Sequence, residues 1–353
     1  MGISLEGFVR KNVLRWLAAS MVAIVSLLNG DGVFAQDAGS FYEGKSIKWI
    51  VPYKPGGGYD EYSRLLAPFV SKYTGARVDI VNMPGSGGMR GSAEIFKAPA
   101  DGLTVGIVPG SALVMNEIAG QKGAAYKIAE FTYIGRISTE QRVMVVGADS
   151  GIKSFEEIAG GNKTIVVGAA GLGGNAYVDA VIAAHVFGLD QKLIHGFNNS
   201  PDIRLALLRG DIDAWWGSLA EALQGVSDKE LTIVLHAEKN PDPELENIPS
   251  VYDAISGSED EAAKVKVLDA WKALSVVGRP VVGPPGIPED RAAFLQDAFR
   301  KAMSDPELVE TAEAAGRQIS YASNDEMMEI IRSVTDMDQQ TQKLFAAAIR
   351  GEL

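Results

Sequence analysis

The sequence predicts an α/β fold, and three stretches carry that prediction. In each, an apolar run with strand character leads into a glycine-rich loop and then into a segment with helical character. The stretches are residues 47–73, 77–98 and 164–185. Repeated strand–loop–helix units are typical of α/β domains. At 353 residues the chain is long enough for two such domains.

The first unit is the one around which we expect a site. Residues 47–53 read as a strand, and two prolines and three glycines at 52–58 interrupt it. Apolar residues at 62, 65, 66, 69, 70 and 73 form a helical stripe that should end at Gly75, with a kink at Pro68. Unpaired N–H groups at such a helix start suit an anion. This pattern alone leaves open whether the anion is a nucleotide phosphate or a small carboxylate.

Two further loops of Gly, Pro and Ser follow strands in the same half of the chain. A strand at 77–81 leads into 82–91, and a buried strand at 103–108 ends in 109–111. Ligands of open α/β sheets bind beyond the carboxyl ends of the strands. Three loops at one edge therefore predict one wall of a ligand site.

The second half of the chain repeats these signals. The expected strands lie at 133–137, 143–146, 164–167, 194–197, 211–216, 231–236 and 273–282. Residues 238–270 read as a surface excursion, and the chain should end in a long helix reaching about 348. Alternation along 211–216 predicts that one of Trp215 and Trp216 faces the core and the other faces the sheet edge or the cleft. The alternative is that both tryptophans pack internally.

The net charge and the N-terminal export signal exclude several classes of function. A net charge of −12 argues against nucleic-acid and anionic-membrane partners. Residues 1–35 read as a secretory signal peptide, with basic residues before an apolar run at 16–28 and small residues up to Ala35. The alternative is a buried helix or an anchor. The absence of cysteine excludes disulfides, thiolate metal sites and a lipidated cysteine. We expect a periplasmic protein without a lipid anchor.

One loop offers an enzyme alternative. Residues 171–176 match G-x-G-x-x-A, with Asp190 at the spacing of a dinucleotide site, which would suit an NAD-type oxidoreductase. Export argues against it. His185, His195 and His236 lack metal-binding spacing, and the glycine loops lack a P-loop lysine. The sequence therefore predicts no enzyme, no metal and no cofactor.

Several motifs together resemble one family. The runs IVPYKPGGGYDEYSRLLAPFV, VNMPGSGGMRGS and APADGLTVGIV, with LLRGDIDAWW and GPPGIPEDRAAFLQDAFRKAMSDPEL, are similar to the solute receptors of tripartite tricarboxylate transporters. These are TctC-like, or Bug-type, periplasmic binding proteins. The resemblance implies a two-lobed type II periplasmic-binding-protein fold with the ligand in the cleft. We expect lobe 1 at 45–145 plus 275–353 and lobe 2 at 146–274.

The resemblance also implies the site. The ligand's carboxylate would be held largely by backbone amides of the loops. The expected ligand-binding residues are Pro55, Gly56, Gly57, Gly58, Tyr59, Asp60, Pro84, Gly85, Ser86, Gly87, Gly88, Ser111, Gly171, Gly173, Gly174, Asn175, Asn198, Asn199, Ser200 and Trp215. Asp60 is more simply explained as a helix cap.

Departures from the family's pattern narrow the class of ligand that we expect. Tyr59 stands where a small hydroxyl residue is common, residues 197–199 replace a tyrosine–lysine–glycine-like turn, and two tryptophans end a strand. We expect a small organic carboxylate with an apolar or aromatic body, stacked on Tyr59 or Trp215. The implied partner is a two-subunit integral membrane permease, and the receptor is expected to be a monomer. A sensor component that presents its ligand to a membrane kinase is the alternative in the same compartment.

Overall fold

The computed structural model describes residues 38–161 and 163–352, in which two five-stranded sheets form. The predicted signal peptide lies outside these residues. The strands are β1 (Ser46–Val51), β2 (Arg77–Asn82), β3 (Thr104–Ile107), β4 (Thr132–Arg136), β5 (Arg142–Gly147), β6 (Ile165–Ala169), β7 (Gln191–His195), β8 (Ala214–Ser218), β9 (Leu231–His236) and β10 (Pro280–Gly283).

The helices surround the two sheets. They are α1 (Gly58–Thr74), α2 (Met89–Phe96), α3 (Gly110–Ile118), α4 (Phe155–Ala159), α5 (Asn175–Phe187), α6 (Ser200–Leu208), α7 (Leu219–Ser227), α8 (Glu261–Val277), α9 (Glu289–Met303), α10 (Pro306–Ala314), α11 (Asn324–Thr335) and α12 (Gln339–Arg350). Short 3-10 helices lie at Ser86–Gly88, Ile128–Glu130, Pro243–Leu245 and Asp253–Ile255.

Both sheets are mixed and have corresponding strand orders. The first runs β2-β1-β3-β10-β4, with β1 parallel to β2 and β3, and β10 antiparallel to β3 and β4. The second runs β7-β6-β8-β5-β9, with β6 parallel to β7 and β8, and β5 antiparallel to β8 and β9. Because β10 returns to the first sheet after the second is complete, the chain crosses twice between two lobes.

The two crossing segments lie side by side. The amide of Ile137 donates to the carbonyl of Arg279 at 3.1 Å, and the amide of Arg279 donates to the carbonyl of Ser138 at 2.9 Å. Gly278, with φ +61°, allows this approach, since a Cβ there would lie 2.1 Å from the Ser138 carbonyl oxygen. The expected lobe boundaries at 145/146 and 274/275 fall within β5 and α8, beside this crossing.

One hydrophobic cluster extends through both lobes. It joins Val114 of α3 and Phe345 of α12 to Val178 of α5 and Trp271 of α8. Smaller clusters lie within each lobe, around Trp49 in the first and around Trp215 in the second. The lobes therefore share a core as well as a cleft.

Three predictions about the elements need correction. The helix α1 begins at Gly58, inside the glycine loop and before the first residue of the apolar stripe. Residues 261–277 form α8 rather than an excursion followed by a strand from 273, and Leu268, Trp271 and Leu274 line its buried face. The C-terminal helix is divided in two, because the Asp338 side chain accepts hydrogen bonds from the amides of residues 340 and 341 and starts α12.

Other predictions of this kind are confirmed. Gly75 ends α1 with φ +71°, and its amide donates to the Ser71 carbonyl. The strand predicted at 231–236 is β9. Both tryptophans of β8 are buried, so the alternative of internal packing holds for the pair, although both also line the inner cavity between the lobes.

Candidate ligand-binding cleft

Three cavities between the lobes border most of the predicted site residues, and a smaller one, of about 10 Å³, is lined by Ser111 with Glu140, Arg142 and Asn175. The inner cavity, of about 60 Å³, is lined by Tyr53, Gly57, Gly58, Tyr59, Glu140, Arg142, Ala170, Gly174, Asn175, Ala176, Asn199, Ser200, Ile203, Trp215, Trp216, Gly217, Glu221 and Arg279. The outer cavity, of about 110 Å³, is lined by Gly56, Gly58, Glu61, Ser200, Pro201, Arg204, Trp215, Glu221, Gln224 and Arg317. The loop cavity, of about 320 Å³, is lined by Tyr53, Pro84, Gly85, Ser86, Gly87, Gly88, Ala170, Gly171, Leu172, His195, Gly196, Phe197 and Asn198.

The start of α1 faces the second lobe across the inner cavity. Gly57 is the N-cap residue, and the amide of Gly58 donates to Oε1 of Glu221 at 3.2 Å. The helix dipole favours a carboxylate at this position. A helix therefore starts at the glycine loop, and the side chain of Glu221 occupies its first amide.

The Asp60 side chain holds the glycine loop that precedes α1. Its carboxylate accepts hydrogen bonds from the amide of Gly56 at 3.0 Å, from Nε of Arg64 at 2.8 Å and from Nδ2 of Asn82 at 2.9 Å. Burial raises the pKa of Asp60, but these donors outweigh it and hold the pKa below its ordinary value. The expectation that Asp60 caps the helix is wrong, because Gly57 holds that position and Asp60 lies within α1.

Glu140 is the centre of a buried network at the base of the cleft. The Tyr59 hydroxyl and Nε of Arg279 donate to its Oε1 at 2.9 and 2.8 Å, and Nδ2 of Asn175 donates to its Oε2 at 2.5 Å. Burial opposes ionisation of Glu140, but Arg279 and Arg142 outweigh it and lower its pKa. Glu140 is therefore held as a carboxylate, and it connects the first turn of α1 to the start of the second-lobe helix α5.

Arg142 extends this network into the second lobe. Its guanidinium pairs with Asp179 at 2.6 Å and donates to the Trp216 carbonyl at 3.0 Å. The indole of Trp271 donates to the other oxygen of Asp179 at 2.8 Å. The buried charges of this group thus have partners on three elements, which fixes the floor of the inner cavity.

Aromatic rings form much of the remaining wall. The rings of Tyr53 and Tyr59 lie 4.9 Å apart between centroids, and the guanidinium of Arg279 lies 5.0 Å from the centre of the Tyr59 ring. Trp215 lines both the inner and the outer cavity. Burial and the nearby Glu140 raise the pKa of Tyr59 well above its usual value, so its hydroxyl stays a donor.

Glycines form one of the contacts between the lobes. A Cβ at Gly87 would lie 2.4 Å from the amide nitrogen of Gly174 and 2.7 Å from the carbonyl oxygen of Leu172. A Cβ at Gly171 would lie 2.6 Å from the amide nitrogen of Gly87. Only glycine permits this backbone contact between the two loops.

Most of the predicted site residues border these cavities. The inner cavity includes Gly57, Gly58, Tyr59, Gly174, Asn175, Asn199, Ser200 and Trp215, and the outer cavity adds Gly56. The loop cavity includes Pro84, Gly85, Ser86, Gly87, Gly88, Gly171 and Asn198. A direct role of these residues in holding a ligand stays a prediction.

Four predicted residues lie outside the three cavities. Pro55 accepts a hydrogen bond from the Asn199 side chain through its carbonyl, and Gly173 accepts one from Asn116. The Ser111 hydroxyl donates to the carbonyl of Leu274 at 2.7 Å, and Asp60 is engaged as described above. These residues connect loops and lobes to one another.

Sequence reasoning missed the charged residues of the cleft, which are Glu140, Arg142, Glu221 and Arg279 at the inner cavity and Glu61, Arg204 and Arg317 at the outer cavity. A signal was present, because Arg142 and Arg279 directly border apolar strand runs. A charged residue at the end of a buried strand must find a partner or face a cavity.

The histidines and the loop at 171–176 show no catalytic arrangement. Nδ1 of His236 accepts a hydrogen bond from the amide of Glu238, and Asp190 accepts one from the hydroxyl of Thr164. Within residues 38–161 and 163–352 no group of three or more His, Asp or Glu is placed to hold a metal ion. None of the helices in these ranges has both the length and the hydropathy needed to cross a membrane.

Two α/β lobes that meet over polar cavities and are joined by paired crossing segments define a solute-binding protein. The chain belongs to the tripartite tricarboxylate transporter family receptors, whose family model matches residues 63–344. It is also similar to the UPF0065 protein in the tcbD-tcbE intergenic region of Pseudomonas sp. (strain P51). That relative is 24% identical over 301 residues, which cover 84% of each chain.

Solved structures share the fold. The periplasmic binding protein BugD aligns with a TM-score of 0.72 at 17% identity, covering 87% of this chain and 98% of BugD. MatC from Rhodopseudomonas palustris, solved with bound malate, aligns with a TM-score of 0.68 at 18% identity, covering 86% and 99%. The predicted two-lobed periplasmic-binding-protein fold is confirmed.

Membership of this family settles the class of activity. Its members are periplasmic receptors that bind small carboxylates and work with membrane transporter components. The protein is accordingly a solute-binding receptor rather than an enzyme. The oxidoreductase alternative is wrong: the glycines at 171–174 form part of the contact between lobes.

Proposed function

We propose that this receptor captures a small organic carboxylate with an apolar or aromatic body and delivers it to a two-subunit membrane permease. The observation that carries the proposal is the pair of helix starts, α1 and α5, which face each other across the inner cavity. Helix N-termini that follow glycine loops supply backbone donors for a carboxylate, and at the start of α1 the ligand's carboxylate would take the place that Glu221 holds on the Gly58 amide. MatC, which shares the fold, was solved with bound malate, and this supports a carboxylate ligand.

The aromatic walls support the second part of the proposal. Tyr53, Tyr59 and Trp215 surround the inner cavity, and their rings offer stacking surfaces that an apolar ligand body would cover. A citrate-like ligand, polar on all sides, would offer no apolar surface to the part of these rings that borders the cavity. We therefore propose that Tyr59 distinguishes this receptor's ligand from those of its relatives.

The proposed route is export, cleavage after Ala35 and action in the periplasm as an unlipidated monomer. N-terminal sequencing of the mature protein tests the first step. A mature chain that begins near Gln36 supports it, and an intact N-terminus on protein in the cytoplasm contradicts it.

Isothermal titration tests the ligand class. Benzoate and phenylacetate are compared with malate and citrate, using wild-type protein, Tyr59→Phe and Tyr59→Ala. We expect an aromatic acid to bind more tightly than citrate, with Tyr59→Ala losing at least tenfold in affinity and Tyr59→Phe retaining the stacking surface. Tight citrate binding without aromatic uptake contradicts the aromatic body. Binding of none of these acids contradicts the carboxylate itself.

A further inference from the structure

We propose that Glu221 is an internal competitor of the ligand. In the ligand-free receptor its carboxylate occupies the anion position at the start of α1, and an incoming carboxylate has to displace it. This inference rests on the proposed function, to which it adds the group that the ligand's carboxylate replaces. Glu221 then sets the affinity of the receptor through the ligand-free state.

The Glu221 side chain reaches from one lobe to the other. Glu221 lies in the first turn of α7 in the second lobe, and Gly58 is the first residue of α1 in the first lobe. Oε1 of Glu221 accepts from the Gly58 amide at 3.2 Å, and a Cβ at Gly58 would lie only 3.0 Å from that oxygen. The first amides of a helix have no intrahelical acceptor, and the helix dipole favours a negative charge beside them. Glu221 therefore supplies what an external carboxylate would supply at this position.

The position of Glu221 differs from the one that its own helix favours. Ser218 is the N-cap residue of α7 and Glu221 follows three residues later, which is the spacing of a capping box. The same spacing at Ser323 and Glu326 forms the complete box, in which Glu326 accepts from the Ser323 amide at 2.7 Å. At α7 the Ser218 hydroxyl forms no cap bond and instead donates to Oε2 of Glu221 at 3.0 Å. Glu221 is therefore directed across the cleft, and the capping box gives it a position to which it can move when a ligand displaces it.

Glu221 and a ligand carboxylate cannot hold the Gly58 amide together. The amide has one hydrogen to donate, and two carboxylates brought to it would repel each other. The apparent affinity of a site falls in proportion to the fraction of molecules in which the site is open. If Glu221 holds the amide in about nine molecules of ten, removal of its carboxylate should raise ligand affinity about tenfold. A residue that contacts the ligand favourably would have the opposite effect when removed.

Isothermal titration measures the effect on affinity. The probes are benzoate, phenylacetate, malate and citrate, and each protein is refolded without added solutes so that no ligand is carried over. We expect Glu221→Ala to bind at least one of these acids ten times more tightly than wild type. Ser218→Ala removes the hydroxyl that holds Oε2 of Glu221 and should raise the affinity by a smaller factor. Glu313→Ala is the control, since it removes the same side chain from an exposed position of α10 and should leave the affinity unchanged.

Amide hydrogen exchange gives a second measurement that does not depend on the identity of the ligand. Exchange at the Gly58 amide, resolved by mass spectrometry with fragmentation, reports whether Glu221 protects that amide in the absence of added acids. We expect exchange at least ten times faster in Glu221→Ala than in wild type. Acetate is the fragment that this substitution removes. It should slow the exchange in the variant toward the wild-type rate and leave wild type unchanged.

Circular dichroism checks that each variant is folded, and Ser218→Ala keeps the inference testable if Glu221→Ala does not fold. Affinity that is unchanged or lower in both variants, or exchange at Gly58 that equals the wild-type rate, overturns the inference while the proposed carboxylate receptor stands. If none of the four acids binds to any of the proteins, the proposed function fails and the competitor role fails with it. Exchange at Gly58 then shows separately whether Glu221 holds the amide.

Discussion

At the scale of single residues, Glu140 determines the geometry of the cleft. Glu140 lies on one of the two segments that cross between the lobes, and its partner Arg279 lies on the other. Their ion pair therefore joins the two crossing segments, which form the hinge. Only 3% of each residue is exposed to solvent. Such a pair is strongly coupled to folding, because removal of one member leaves the other charge buried and unpaired.

We expect Glu140→Gln to lower the free energy of unfolding by about 3–5 kcal/mol. The physical reason is that Arg279 loses its buried counter-charge. Urea denaturation followed by circular dichroism measures the change. Glu94→Gln, which alters an exposed carboxylate of α2, is the control and should change stability by no more than about 0.5 kcal/mol. Equal denaturation midpoints for the two variants would show that the ion pair does not support the fold.

The contribution of Glu140 to the stability of the fold should depend on pH. Because the pKa of Glu140 is lower in the folded protein than in the unfolded chain, its contribution is complete above the ordinary glutamate pKa of about 4.3. The contribution is lost as the pH falls through the lower, folded pKa. We expect the stability difference between wild type and Glu140→Gln to be constant from pH 7 to about 5 and to shrink below about 4. A difference that persists undiminished to pH 3 would contradict this.

At the scale of elements, the strand–loop–helix units were predictable because their signals are local. Apolar runs, glycine loops and a C-capping glycine depend on a few consecutive residues, and β1, α1 and β9 lie close to where the sequence indicates. The helix α8 was not predictable in the same way. Its buried positions lie within a stretch rich in charged residues, and only contact with α3, α5 and α11 identifies them as core.

The sequence predicts the glycine loops of the cleft but not its charged side chains. A glycine-rich loop is visible in the sequence from its composition alone. The loops that meet at Gly87 and Gly174 were therefore expected near the site. Glu140 and Arg317 lie in connecting segments and Glu221 lies in α7, and their partners are set by tertiary contacts. A single sequence does not reveal which acid meets which base across such a distance.

The loop contact between lobes gives a prediction of its own. A methyl group at Gly87 would overlap the backbone at residues 172 and 174, so Gly87→Ala should prevent the lobes from closing. We expect at least a tenfold loss of ligand affinity by titration and a larger radius of gyration by small-angle scattering. Gly151→Ala is the matched control, since it imposes comparable strain at φ +84° with no atom within 4 Å of the added carbon. Unchanged affinity in Gly87→Ala would rule out closure at this contact.

At the scale of the whole molecule, the shared core makes the lobes interdependent. Phe345 of α12 is fully buried in the cluster that extends from α3 in the first lobe to α5 in the second. The C-terminal helix therefore packs against both lobes, beside the hinge formed by the crossing segments.

We expect Phe345→Ala to lower the free energy of unfolding by about 3–5 kcal/mol, because it creates a cavity in that common core. Differential scanning calorimetry should show one transition shifted to lower temperature. Leu205→Ala, at a side chain 46% exposed on α6, is the control and should shift it little. Two separated transitions, with one at the wild-type temperature, would mean that the lobes unfold independently.

The central claim is that the cleft of this family member closes on a small organic acid, and the ligand carried by the native protein tests it most directly. The protein is purified from its natural periplasm without added solutes and denatured, and the released small molecules are identified by mass spectrometry. We predict one carboxylate in near-stoichiometric amount from wild type and its loss from Gly87→Ala. Release of a nucleotide cofactor or a neutral sugar in that amount, or equal release from both proteins, would contradict the account.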